Sequence, residues 1–354
     1  MSSPSESLSP QVTIILPTYN SAPFLSRSIS SVLDQTWKDF ELIIIDNAST
    51  DGSDKILNAI TDSRVRVLIN ETNQGYTKSL NRGLSLATGS YVARMDADDI
   101  SHPTRLEKQH SFLENHPEIG ILGTSYRIIN QEGVVQGTRN MPETDIEIRW
   151  MSLLASPFCH PSIMIRRSVL LEHRLEFDIS FEPAEDYDLW TKILDQSKGA
   201  NLPEILFDYR MHGNNESTQR AEEQNRQVQS IAFHQIQKIL PSFSSSPAMV
   251  GRLHSLVAYE PRASVISPSF PESTIHEFLD LLDHFFLHTS GASKTRTLRK
   301  NIFDLLLRLF RPSLLKMASM NMLFRIFRMF PFEFFQAAKR SIQNHLSINR
   351  TFPS

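Results

Sequence analysis

Cysteine is nearly absent from this chain: Cys159 is the one thiol in 354 residues. A lone cysteine closes no internal disulfide, so a reducing compartment is expected. Long apolar runs are missing as well. No stretch approaches the roughly 18–20 uninterrupted apolar residues that a membrane-spanning helix needs. The opening "MSSPSESLSP" has neither the basic start nor the apolar core of a secretory signal, and residues 1–10 read as a disordered tail. A glycine-rich, basic triphosphate loop is also lacking: "PTYNSAPF" stands after the first apolar run, which argues against nucleotidyl transfer. These absences point to a cytoplasmic chain, at most peripheral on the cytoplasmic face of a membrane, with no nucleic-acid partner.

The hydrophobic content of 40% is ordinary for a soluble globular protein, and the length favours a main domain plus an appendage. Net charge is −3, but its distribution is uneven. From Lys294 onward there are twelve Lys and Arg against two acids, Asp304 and Glu333, so this end carries +10 and the remainder −13. Two surfaces with different partners are expected.

Residues 12–17, 40–46, 65–70 and 90–96 are short, apolar-leaning runs that read as strands. Between them, 23–35, 53–61 and 77–87 carry apolar residues at helical spacing, the last with Gly89 as its expected C-terminal cap. Strand and helix alternate as βαβ units do, which implies a largely parallel sheet with ligands outside its carboxyl ends. Asp46 and Asp96 stand at two such ends. In "MDADDISHP", Asp96, Asp98 and Asp99 lie within four positions, where their charges repel unless a cation or water offsets them.

The stretches "PTYN", "IIIDNASTDGS", "NQGYTKSLNRGL", "MDADD" and "EDYDLW" occur in the order and spacing of family 2 glycosyltransferases, which the chain resembles over residues 12–212. The resemblance implies a GT-A fold, an α/β nucleotide-diphospho-sugar transferase with a Rossmann-like mixed sheet flanked by helices. It would occupy residues 11–220, with a mainly helical region over 221–354. It further implies an inverting transferase that moves a sugar from a nucleotide-sugar donor, a UDP-sugar, to a glycan or lipid-linked acceptor in cell-surface polysaccharide synthesis. The alternative is a non-catalytic nucleotide-binding or scaffold protein on the same fold.

Residue by residue, the resemblance implies that Asp98 ligates a divalent cation, Mn²⁺ or Mg²⁺, and that His212 serves the metal or diphosphate. Asp96 would meet the ribose or the metal's water shell, with Ala97 between the two acids. Asp46 would accept from a uracil ring. Pro17, Thr18, Tyr19 and Asn20 would line the nucleotide, Tyr19 by stacking, with Asn73 and Gly75 as a base-side loop and Lys78 near a phosphate. In "FEPAEDYDLW" Asp186 would be the base and Glu185 its orienter, their adjacency raising the pKa. Asp99 and Asp188 read as caps of the helices that follow. His160 is a candidate substrate contact, and Trp190 either core or an acceptor-stacking wall.

Past residue 219 the resemblance fades. Residues 222–240 and 275–288 read as amphipathic helices. Over 294–340, Arg308, Arg311, Lys316, Arg325 and Arg328 are set among Leu, Phe and Met, a pattern that docks on anionic membranes. Packing on the catalytic domain or on a dimer partner is the alternative, and the oligomeric state stays open.

Overall fold

The computed structural model describes residues 9–213, 215–258 and 272–289, together with residues 299, 300, 302 and 329. The expected disordered tail and the basic 294–340 segment therefore lie almost wholly outside the described residues. The chain divides into two compact units, residues 1–235 and 236–354.

The first unit is built on one mixed sheet. Its strands are β1 (Val12–Thr18), β2 (Phe40–Asp46), β3 (Val65–Ile69), β4 (Tyr91–Arg94), β5 (Ile100–Ser101), β6 (Ile119–Ile129), β7 (Val135–Arg139), β8 (Met164–Arg166) and β9 (Lys198–Arg210). The order is β3-β2-β1-β4-β8-β6-β9-β5, with β7 paired to β6. The first four run parallel, with β1 held between β2 and β4. β8 is antiparallel to both of its neighbours.

β1 is buried along its whole length, and its side chains alternate between two cores. Val12, Ile14 and Leu16 pack on Leu25, Ile29 and Val32 of α1 (Ala22–Leu33), whereas Ile15 joins Ile43, Ile45 and Leu80 on the opposite face. Burial on both faces is why the central strands read as unbroken apolar runs. The crossovers are α1, α2 (Ser53–Asn58) and α3 (Tyr76–Leu86); α4 (Arg105–Asn115) follows the acidic turn. α5 (Asp145–Met151), α6 (Arg167–Glu172) and α7 (Glu185–Gln196) precede β9, and α8 (Glu216–Gln219) and α9 (Ala221–Ile239) come after it. The division between units falls inside α9.

Gly89 does not cap a helix. α3 ends at Leu86 with Ala87 already extended, and a Cβ on Gly89 would lie 2.6 Å from the Thr13 backbone nitrogen. The glycine is required by close approach of the chain to β1. In the second unit, α10 (Pro247–Ala258) and α11 (Glu272–His288) bury Leu253, Leu256, Phe278, Leu281, Leu282 and Phe285. Arg252 and Glu277 pair across them. No described helix is long and apolar enough to cross a membrane.

Candidate active site

β1 and β2 end side by side at Thr18 and Asp46, while β4 ends earlier, at Arg94 opposite Ile15, and the acidic turn follows it. Its backbone is gripped from β9. Arg210 donates from its amide to Asp99 Oδ1 at 2.7 Å and from Nε to the Asp98 carbonyl at 2.7 Å, while Nη1 reaches the Asn130 and Gln131 carbonyls. Asp99 is buried here and caps nothing, since α4 starts three residues after His102, behind Thr104. Burial, then the Asp98 and Asp96 charges, push its carboxyl well above the usual carboxylate range. Ala97 is buried inside the turn.

The two acids beside Asp99 face different partners. Asp98 Oδ2 lies 2.9 Å from His212 Nε2 and accepts from Asn215 Nδ2 at 3.3 Å. The His212 ring stacks on Phe24 with centroids 4.9 Å apart. The two residues expected to share a metal are thus brought together. Asp96 turns the other way, toward α3 and β4. Its Oδ1 accepts from Arg94 Nη2 at 2.6 Å and from the Tyr76 hydroxyl at 2.9 Å.

Arg94 is the residue that sequence reasoning missed. Its guanidinium is only 1% exposed yet spends all three nitrogens: Nε donates to His160 Nε2 at 3.2 Å, Nη1 to the Ile15 and Met95 carbonyls, and Nη2 to Asp96 and Tyr76. The available signal was a lone cation ending the apolar strand "SYVAR". Arg210, the last residue of β9, carried no comparable signal.

The base candidate lies beside His160, whose Nδ1 is 4.0 Å from Asp186 Oδ2. α7 opens with Glu185 and Asp186, so Asp186 is in its first turn, where the backbone amides of Tyr187 and of Asp186 itself favour the ionised carboxylate. Burial drives its carboxyl up to about 6, with those amides and the Arg94 charge opposing the rise and Asp96 adding to it. The cause is therefore desolvation rather than the adjacent Glu185, which is itself buried. Asp188 does not cap α7, which begins three residues earlier; it pairs with Lys192 at 2.6 Å, one turn on. Trp190 is fully buried core, edge-on to His160 and Phe177.

On the nucleotide side, Asp46 Oδ1 accepts from the Ser49 amide at 3.2 Å and its hydroxyl at 2.5 Å, so one carboxylate oxygen serves the turn. Asn20 Oδ1 accepts from the Thr50 amide, and Asn73 Oδ1 from Asn47 Nδ2 and the Gly75 amide. Gly75 has φ +94, a left-handed conformation open to glycine. Thr18 Oγ1 is buried with no hydrogen-bond partner, following Pro17 in β1. Tyr19 is half exposed and Lys78 exposed on α3.

This mixed sheet with acids at its parallel strand ends defines the class, a GT-A nucleotide-diphospho-sugar transferase fold. A solved structure of S. aureus TarS residues 1–349 with UDP-GlcNAc shares it at a TM-score of 0.55 and 20% identity, over 78% of this chain and 81% of that one. The family model "Glycosyl transferase family 2" matches residues 13–174. The Escherichia coli O-antigen biosynthesis glycosyltransferase WbnJ is 34% identical over 220 residues, 59% of this chain and 82% of that protein. The E. coli UDP-Glc:alpha-D-GlcNAc-diphosphoundecaprenol beta-1,3-glucosyltransferase WfgD is 33% identical over 61% of this chain and 83% of its own. The chain belongs to glycosyltransferase family 2 and is a glycosyltransferase.

Proposed function

We propose that this enzyme is an inverting, metal-dependent transferase that moves a sugar from a UDP-sugar to a glycan or lipid-linked acceptor in cell-surface polysaccharide synthesis. The observation that carries the reading is Asp186, a carboxyl raised to about 6 at the start of α7, close enough to the acidic turn for the Asp96 charge to add to the rise. A base of that strength accepts a hydroxyl proton close to neutral pH.

The acceptor oxygen attacks the anomeric carbon as its proton passes to Asp186. The new C–O bond forms on the face opposite the breaking C–O(phosphate) bond, whose electron pair leaves with the nucleoside diphosphate. One base and no covalent nucleophile give inversion in a single displacement. Glu185, buried at the start of α7, orients the base side. Pro17, Thr18, Tyr19, Asn20, Asp46, Asn73, Gly75, Lys78, Asp96 and Ala97 hold the donor. The idle Thr18 hydroxyl and the second oxygen of Asp46 suit a base edge.

Asp98 and His212 fit a divalent cation as two adjacent ligands. No group of three or more metal-ligating His, Cys, Asp or Glu side chains occurs among the described residues, which suits an ion completing its shell with diphosphate and water. Mn²⁺ or Mg²⁺ bound there would supply positive charge against the leaving diphosphate. The activity that WfgD is named for, with a UDP-sugar donor and a diphosphoundecaprenol-linked acceptor, and the O-antigen role of WbnJ support the donor, the acceptor and the pathway class. A lipid-linked acceptor also gives the basic 294–340 segment a use, docking at the cytoplasmic membrane face. Transfer or hydrolysis of UDP-glucose and UDP-N-acetylglucosamine, compared between the parent and Asp186→Asn in Mn²⁺, tests the reading; equal turnover overturns it.

A further inference from the structure

His160, a candidate substrate contact, has its imidazole beside the proposed base. Its Nε2 lies 3.2 Å from Arg94 Nε. An arginine N–H is a permanent donor, so this ring nitrogen must be the acceptor. The ring is then neutral and carries its proton on Nδ1. That Nδ1 is 4.0 Å from Asp186 Oδ2, beyond a formed hydrogen bond but within the closure that catalytic contacts undergo when substrate binds.

The geometry is rigid on every side. Tyr76, Phe177 and Trp190 flank the imidazole at centroid distances of 6.2, 5.5 and 5.5 Å. Arg105 Nη1 ties the Arg94 carbonyl at 3.1 Å to the carbonyl of Pro161, the residue after His160, at 2.9 Å. The Arg94 amide donates to Ile163 O at 3.0 Å. The charged and titratable groups around the pair are Asp96, Tyr76, Arg105, Cys159, Glu185 and Asp186. Burial and the Arg94 charge hold His160 well below its ordinary pKa, in keeping with a neutral ring.

We infer that Arg94 and His160 are a positioning pair linking the donor side of the site to the base: Arg94, anchored on Asp96, sets the Nδ1–H tautomer of His160, which aims the Asp186 carboxylate at the acceptor. Hydrogen bonds run from Asp96 through Arg94 to His160, and a 4.0 Å approach of His160 Nδ1 to Asp186 Oδ2 completes the line between the donor-facing acid and the base. This rests on Asp186 being the base.

The test uses the full-length protein labelled with ¹⁵N at histidine. Long-range ¹H–¹⁵N spectra, with His160 identified by its absence in His160→Gln, should show the Nδ1–H tautomer, and Arg94→Met, which removes the donor facing Nε2, should shift it toward Nε2–H. His160→Gln should lower kcat by roughly a hundredfold, with UDP–Mn²⁺ affinity within about threefold of the parent. His160→Asn, which keeps a donor where Nδ1 stood, should recover part of the loss. An Nε2–H tautomer in the parent, equal kcat in parent and His160→Gln, or equal losses in both variants would overturn the pair. The spectra are read without turnover, so they stand if Asp186→Asn proves fully active, a result that would sink the base assignment instead.

Discussion

Burial makes Asp186 costly to ionise, and the proposed reaction would use that cost. In the unfolded chain its carboxyl titrates near 3.8; in the folded protein it titrates at about 6. Activity should therefore fall as pH drops through about 6, on a limb that disappears with the base. Between those two values the folded state holds a proton that the unfolded state has released, so this group makes stability decline as pH rises through the window. Asp186→Asn should cut turnover by roughly 10²–10⁴-fold while raising unfolding stability at pH 7 by up to about 3 kcal/mol; denaturant unfolding beside donor hydrolysis measures both. Asp98 presents the opposite case. Asp98→Ala, or a chelator with the parent protein, should abolish the Mn²⁺-dependent thermal shift that UDP gives. At a ligand concentration a hundred times Kd, that shift corresponds to about 2.7 kcal/mol.

At the scale of elements, the site depends on where strands stop and how tightly loops approach them. Gly89 passes so close to β1 that a Cβ would meet backbone at 2.6 and 2.9 Å, atoms that cannot swing aside. Gly89→Ala should cost about 1–3 kcal/mol, and through β4 it should also depress donor affinity. Gly137, on β7, has open space for 4 Å around the point where a Cβ would stand, and Gly137→Ala should leave stability nearly unchanged. Chemical denaturation of the two variants separates them. α7 contributes through its first turn, whose amides hold the Asp186 carboxylate; the same orientation explains why acids gather there.

For the whole molecule, charge is the property that divides the two ends. A segment carrying five cations among Leu, Phe and Met over 308–328 should bind vesicles of anionic lipid at low salt and release them as salt is raised. Reversing Arg308, Arg311, Arg325 and Arg328 to Glu in the full chain should abolish co-sedimentation without altering hydrolysis of a soluble donor. Failure of the parent to bind such vesicles would remove the membrane from the scheme, and retained binding by the variant would take the contact away from this segment.

The parallel half of the sheet was legible because strands buried on both faces must be apolar throughout, and because Asp46, Asp96 and Asp98 follow directly on such runs. The helix before Gly89 was also legible, but not the glycine's reason, since contact with β1 joins residues some seventy-five positions apart. Asp99 looked like a cap for the same reason, since Arg210, which claims it, lies 111 positions away; Asp188 was misread only because α7 starts earlier, at Glu185, and its partner Lys192 is one turn on. His212 beside Asp98, and His160 beside both Arg94 and Asp186, are pairings between distant segments that only chain folding decides. The order of residues by itself determined the family, the parallel strands and the acids that can carry charge, because apolar alternation and strand-end chemistry are short-range properties. Tertiary structure alone decided which acid meets which cation, and that burial rather than a neighbouring carboxylate raises the base, because desolvation and ion pairing depend on what the fold brings within a few ångströms.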